Sequence, residues 1–221
     1  MNSFKNQQIL PLQLREAKNR EDFVVGESNK NAVSWIDKYP KWNNDGLIIV
    51  GPKSSGKSHL VSVWQEKSNC DIFECSDLDE ENKNLLYANN IVIENIDRVK
   101  NHKYLLHVFN LKKEKKFKML FTSSLNPSDM KINLQDIKSR LISLPQAYIL
   151  LPSDDVLKGL LYKLFKDKGI LLNSNIINYI YVRIERTYLS VNDLVGDVDR
   201  FSLLKKKKIT IPLIKEILKS K

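Results

Sequence analysis

The sequence predicts an α/β fold in which a phosphate-loop core, built on a five-stranded parallel sheet, is followed by a small helical lid. Three observations carry that prediction. The stretch Gly51-Pro52-Lys53-Ser54-Ser55-Gly56-Lys57-Ser58 fits the pattern G-x-x-x-x-G-K-[ST] without substitution, between an apolar strand at 47–50 and a helix starting near His59. Four further strand-like stretches, at 71–76, 90–97, 119–124 and 147–151, alternate with helical ones, the signature of parallel strands joined by crossover helices. From Ser153 onward the apolar period becomes 3.6 and stays there.

Length and charge set the outer bounds. The chain has 221 residues, 42% of them hydrophobic, enough for a buried core in one larger and one smaller unit. The expected division is a tail at 1–19, a core at 20–152 and a lid at 153–221. No apolar run approaches the ~20 residues that span a bilayer, and the polar start Met1-Asn2-Ser3-Phe4-Lys5-Asn6 leads into no signal-peptide core. The expectation is a cytoplasmic protein without a membrane partner. Cys70 and Cys75 sit in an alternating stretch and read as reduced structural thiols. The formal charge of +10 comes mostly from lysine, and an AT-rich genome produces the same excess, so charge alone does not establish nucleic-acid contact.

In chain order, Gln7-Gln8-Ile9-Leu10-Pro11-Leu12 is an apolar plug inside a polar tail, kept extended by its proline. It suits either another protein's pocket or the chain's own surface. Next comes an apolar knot, Asp22-Phe23-Val24-Val25-Gly26-Glu27-Ser28-Asn29, ahead of a helix expected over about 29–39 and ended by Pro40. Val24 and Val25 fit either an adenine face or core packing. In the phosphate loop, Gly51 and Gly56 allow successive N–H groups to turn inward. Pro52, Lys53, Ser54 and Ser55 lie between them, Lys57 can reach terminal phosphates, and the Ser58 hydroxyl can ligate magnesium ahead of His59. The cofactors expected are ADP or ATP with Mg2+.

After an acidic turn at 77–81, the run Asn90-Ile91-Val92-Ile93-Glu94-Asn95-Ile96-Asp97 reads as a buried strand ending in acid. Glu94 is the candidate magnesium-facing carboxylate. Asn95 follows it, and an amide cannot accept a proton from water, so little independent turnover is expected. A helix carrying Tyr104, Leu105, Val108, Phe109 and Leu111 ends in the basic run 112–116, which reads as a solvated helix end. Met119-Leu120-Phe121-Thr122-Ser123-Ser124 is a strand with hydroxyls at its tip, Thr122 being the candidate sensor of a terminal phosphate. A short helix is expected over 134–141.

In the lid, Ser153-Asp154-Asp155 caps a first helix stopped by Gly169, and Asn173-Ser174 opens a second. Ser190-Val191-Asn192-Asp193 reads as a capping box opening a third, and Pro212 starts a short fourth.

This layout resembles the AAA+ ATPases, and more narrowly their DnaA group. Residues 22–29 are similar to that group's segment before the phosphate loop, Gly56-Lys57-Ser58-His59-Leu60 to its loop end, and Lys138-Ser139-Arg140-Leu141 to its arginine-finger box. A DnaA initiator continues into a helix-turn-helix domain, whereas this sequence stops at Lys221. What remains resembles the Hda family of DnaA-related regulators: Gln7, Leu10, Pro11 and Leu12 match its clamp-binding peptide, and residues 208–218 its C-terminal end. Gln8 stands where that peptide usually has a small aliphatic residue, and Glu94 where an aspartate is usual. Arg186 falls near the turn of the family's lid arginine, with Leu189 the competing position.

The resemblance implies a negative regulator of replication initiation that binds the DNA polymerase III beta sliding clamp. It would touch DNA indirectly through the clamp and stimulate hydrolysis of DnaA-bound ATP, with Arg140 as a finger supplied in trans. It leaves a homodimer open. The alternative is an AAA+ ATPase acting as a DNA-bound helicase loader or remodeller, which needs a working base beside Glu94 and uses the basic runs near Lys112 and Lys205.

Overall fold

The structure is a computed structural model describing residues 19–79, 84–205 and 208–219; the candidate clamp peptide at 7–12 lies outside them. The core begins with helix α1 (Lys30–Asp37) and strand β1 (Gly46–Val50). Helix α2 (Lys57–Ser68), strand β2 (Asp71–Glu74), a short helix α3 (Asn84–Tyr87) and strand β3 (Ile91–Glu94) follow. Helix α4 (His102–Glu114), strand β4 (Met119–Ser123), helix α5 (Gln135–Ser143) and strand β5 (Gln146–Tyr148) complete it. All four strand pairings are parallel, in the order β2-β3-β4-β1-β5, so the loop after β1 opens where the chain jumps from a central strand.

Alternation along β1 explains the layering. Leu47 and Ile49 face one side, with Ala32, Val33 and Ile36 of α1 and Leu60, Val61 and Trp64 of α2. Ile48 and Val50 face the other, with Leu105, Val108 and Phe109 of α4 and Ile137 and Leu141 of α5. A strand covered on both faces needs a continuous apolar run, which is why residues 47–50 carry no polar residue. On the first side Trp42 and Trp64 stack at 5.5 Å, with Tyr39 edge-on to both. Edge strand β2 is mostly exposed and keeps Asp71 and Glu74 on its rim, charges that discourage pairing with another strand. Cys70 and Cys75 flank it as buried free thiols, both pushed up by burial.

The lid has four helices among the described residues: α6 (Asp154–Asp167), α7 (Ser174–Tyr181), α8 (Tyr188–Lys205) and α9 (Ile211–Lys219). They enclose a separate core of Leu157, Leu161, Phe165, Ile177, Ile180, Val198 and Ile214.

Several elements differ from expectation. β3 stops at Glu94 because Asn95 turns into the left-handed region at φ 56°, and β5 is only three residues long. Helix α8 starts two residues before Ser190. Its cap is Thr187, whose Oγ1 accepts from the Ser190 N–H at 3.1 Å, so Ser190 is inside the first turn. Most consequential, Lys112 is fully buried at the head of a run expected to be solvated. Its Nζ donates to the carbonyls of Ala88 (2.5 Å) and Leu86 (3.3 Å), tying α4 to the end of α3.

Candidate nucleotide-binding cleft

The loop between β1 and α2 takes its shape from two glycines. Gly56 sits at φ +93°, and a side chain there would also meet the Phe23 ring at 2.9 Å. A Cβ on Gly51 would lie 2.9 Å from both Ile149 Cβ and Ser55 Oγ. Lys57 then opens α2 with its Nζ donating to the carbonyls of Gly51 (2.7 Å) and Pro52 (2.9 Å). Burial pushes this ammonium below the ordinary lysine range, against the opposing pull of Asp97 and Glu94. Neutral carbonyls hold it less strongly than an anion would. The Ser55 hydroxyl in the same loop is buried without a hydrogen-bond partner among the described residues. An under-satisfied cation and an orphaned hydroxyl, at the N-terminus of a twelve-residue helix, together fit a phosphate group.

The residues present also fit magnesium. Ser58 Oγ donates to Glu94 Oε1 at 2.6 Å, which sets a hydroxyl and a carboxylate side by side as hard oxygen donors. Among the described residues no group of three or more His, Cys, Asp or Glu could hold a metal unaided. An ion here would complete its shell with phosphate oxygens and water, the usual habit of Mg2+.

The loop opens on a cleft of about 510 Å³ between core and lid. Asp22, Phe23, Val24 and the loop from Lys53 to His59 form its core wall, and Asn95, Arg98 and Ser124 line it beyond the loop. Val156, Leu160, Lys163, Leu164 and Asp167 of α6 face them at helical spacing, joined by Tyr188 and Asn192 of α8. Two close approaches hold the walls together: a Cβ on Gly26 would meet Val156 Cγ2 at 2.4 Å, and one on Gly159 would meet Val24 Cγ1 at 2.8 Å. The turn that carries Val24 is pinned by Asn29, whose side chain accepts from Gly26 N and donates to the Val24 carbonyl. His59 packs edge-on to Phe23 at 5.1 Å and donates to the Asn19 carbonyl at 2.8 Å.

Residues 157–218, nearly all of the lid, match the family described as Hda, lid domain. The DnaA initiator of Aliarcobacter butzleri is 24% identical over 224 residues, covering 90% of this chain and 51% of its own length. The chain is thus similar to DnaA initiators over most of its length, and its lid matches the Hda lid family. It spans about half the length of the curated relatives it matches. Among solved structures, domain III of Thermotoga maritima DnaA superposes with a TM-score of 0.79 at 16% identity, covering 92% of this chain and 96% of that one. AMPPCP-bound DnaA from Aquifex aeolicus gives 0.70 at 14% identity, covering 84% and 66%.

Against this DnaA-related frame the site residues read from sequence sort unevenly. Lys53, Ser54, Ser55, Gly56, Lys57, Ser58, His59, Val24 and Asn95 all line the cleft, and Gly51, Pro52 and Glu94 support it from behind. Val25 does not: it is 45% exposed and absent from the lining. Thr122 is fully buried, its Oγ1 accepting from the Asn95 N–H at 3.0 Å. The hydroxyl residue of this stretch that reaches the cleft is Ser124, just past the end of β4. Arg186 also falls outside the lining. It pairs instead with Asp154 across the lid surface, its guanidinium 5.5 Å from the Tyr181 ring. The lid presents Lys163 and Asn192 to the cleft in its place, and Arg98 adds a core cation. Fold-level proximity alone reveals Lys163 and Asn192, whereas Arg98 carries a sequence signal, as a rare arginine just after the acidic strand end.

Arg140 lies on α5, outside the cleft lining. It is not a bare surface residue: Nε donates to Asp136 Oδ1 at 2.9 Å, one turn earlier, and the guanidinium sits 5.7 Å from the Phe109 ring centroid.

Proposed function

We propose that this chain is a regulator of replication initiation that binds a nucleotide in its own cleft and presents Arg140 to ATP held by DnaA. The observation that carries this reading is the location of Arg140. It heads no contact with its own cleft, and its ionic partner is an exposed i,i+4 carboxylate, a kind of pair worth only about 0.3–0.5 kcal/mol. Giving up Asp136 for a partner's phosphate oxygens therefore costs little, and a guanidinium fork stabilises charge developing on a transferred phosphoryl group.

The chain's own nucleotide, ADP or ATP, is fastened at one end by Lys57 and the loop N–H groups and enclosed on the other side by α6 and α8. When bound, Mg2+ supplies neutralisation of the phosphate charge beside Ser58 and Glu94. AMPPCP in the Aquifex aeolicus relative supports this assignment. Bridging core and lid, the nucleotide fixes their angle. Asn95 at the end of β3 argues for little turnover. The tail residues Gln7, Leu10, Pro11 and Leu12 anchor the protein on the sliding clamp, and DNA is met through the clamp.

Arg140→Ala tests the reading. It should preserve fold and ADP affinity but abolish stimulation of DnaA-bound ATP hydrolysis, measured with clamp-loaded DNA. Finger arginines are worth about 10³–10⁵ in rate in comparable GTPases, so the loss should be large, and Arg140→Lys should rescue poorly. Stimulation equal to wild type would sink the trans-finger role. Brisk ATP turnover by the purified chain would favour the loader reading.

A further inference from the structure

The end of β3 and the neighbouring edge strand β2 carry an exchange of head groups. Glu74 and Glu94 are register partners on these parallel strands, which sets two carboxylates side by side. Each receives its own donor: Glu94 Oε1 from the Ser58 hydroxyl at 2.6 Å, Glu74 Oε2 from the Asn95 amide at 3.0 Å. Asn95 is also fixed through its backbone, at φ 56° with its N–H given to Thr122 Oγ1 at 3.0 Å. One amide N–H is thus committed to Glu74, and the residue lines the cleft. Asparagine satisfies every demand of this position: a left-handed backbone, a donor for Glu74 and no third negative charge.

Hydrolysis of a nucleoside triphosphate requires a water proton to pass to an acceptor while the water oxygen bonds the terminal phosphorus and the bridging oxygen leaves with the diphosphate. A carboxylate at position 95 could take that proton. Beside Glu74 it would lose the donated hydrogen bond and face a like charge at contact distance, which turns it away from the geometry Asn95 holds. We propose that Glu74 is a positioning residue that keeps position 95 without a base, so that a bound triphosphate stays intact. The carboxylate and the amide of this couple are interdependent: exchanging them, with the amide on β2 and the carboxylate at the end of β3, restores the hydrogen bond with its direction reversed and frees one carboxylate oxygen for water. The proposal rests on the reading that the cleft holds a nucleotide.

The experiment compares wild type, Asn95→Asp, Glu74→Gln and the double variant, each purified as the full chain. ATP turnover, ADP affinity by calorimetry and thermal midpoint are read on all four. Asn95→Asp alone should stay near background turnover and melt about 2–4 °C lower, while the double variant should recover the midpoint. Its turnover should exceed that of Asn95→Asp by about tenfold or more, the lower reach of general-base catalysis being larger still. Turnover by Asn95→Asp equal to the double variant would overturn the role of Glu74, as would a double variant that binds ADP, hydrolyses no faster than wild type and shows additive midpoints. Failure of wild type to bind ADP would overturn the nucleotide reading instead, and the coupling in thermal midpoint would still report whether residues 74 and 95 act as a pair.

Discussion

Lys112 shows how a single side chain escapes a reading by composition. It opens a run of lysines at 112–116, yet its own ammonium is wholly enclosed, donating to two carbonyls at the end of α3 with the Phe117 ring 5.9 Å away. Burial pushes it down to about 8 from the ordinary lysine value. The direction fixes a pH dependence. Below pH 8 the group is charged both folded and unfolded, and no slope arises. Between about 8 and 10.5 the unfolded chain holds the extra proton, so stability rises with pH across that window. Urea unfolding of wild type against Lys112→Met from pH 7 to about pH 10 should show this rise, on the order of 1–3 kcal/mol, in wild type and its absence in the variant. Parallel curves would mean that Lys112 titrates normally. The same burial removes Lys112 from any surface offered to DNA.

Elements were legible where one rule dominated. The strand–loop–helix around Gly51 to Ser58 was readable because a fixed residue pattern coincided with an apolar strand, and the lid helices because their 3.6 period is unbroken. Ends were less legible. β3 looked longer because residues 90–97 read as one buried strand ending in acid, but Asn95 takes a backbone angle that residue type alone does not signal. The start of α8 was misplaced because Ser190 and Thr187 are both good caps, and only the observed bond chooses between them. The lid side of the cleft was illegible for a deeper reason: Lys163, Tyr188 and Asn192 meet the loop only once the lid has folded over the core. The tail belongs to this scale too. Replacing Gln7, Leu10 and Leu12 by alanine should abolish clamp binding in a pull-down and leave ADP affinity unchanged, since a peptide anchor and a core cleft share no contacts. Undiminished clamp recovery would place that interface elsewhere.

At the scale of the whole molecule, core and lid are two hydrophobic units joined at few points. Val156 and Tyr188 come from lid helices but pack in the core cluster with Phe23 and Ala32, and Tyr188 Oη lies 3.4 Å from Ser28 Oγ. The space for that junction depends on Gly26, whose absent side chain leaves room for Val156. Gly26→Ala should push α6 outward, at a cost of about 1–3 kcal/mol for forced overpacking, and weaken ADP binding by widening the cleft. Calorimetry and thermal melting of the variant check both, and unchanged values would mean the lid accommodates the methyl group freely.

The aromatic stack on the first face of the sheet has an optical consequence. Trp35, Trp42 and Trp64 are the chain's three tryptophans, all upstream of residue 65, while the lid's chromophores are tyrosines such as Tyr162, Tyr179, Tyr181 and Tyr188. Two indoles stacked face to face at 5.5 Å, tilted by only 2°, couple their excited states. The indole bands of the near-ultraviolet circular dichroism spectrum and indole emission therefore watch the core alone. A lid that loosened on nucleotide release would leave those signals untouched and register only in the tyrosine bands.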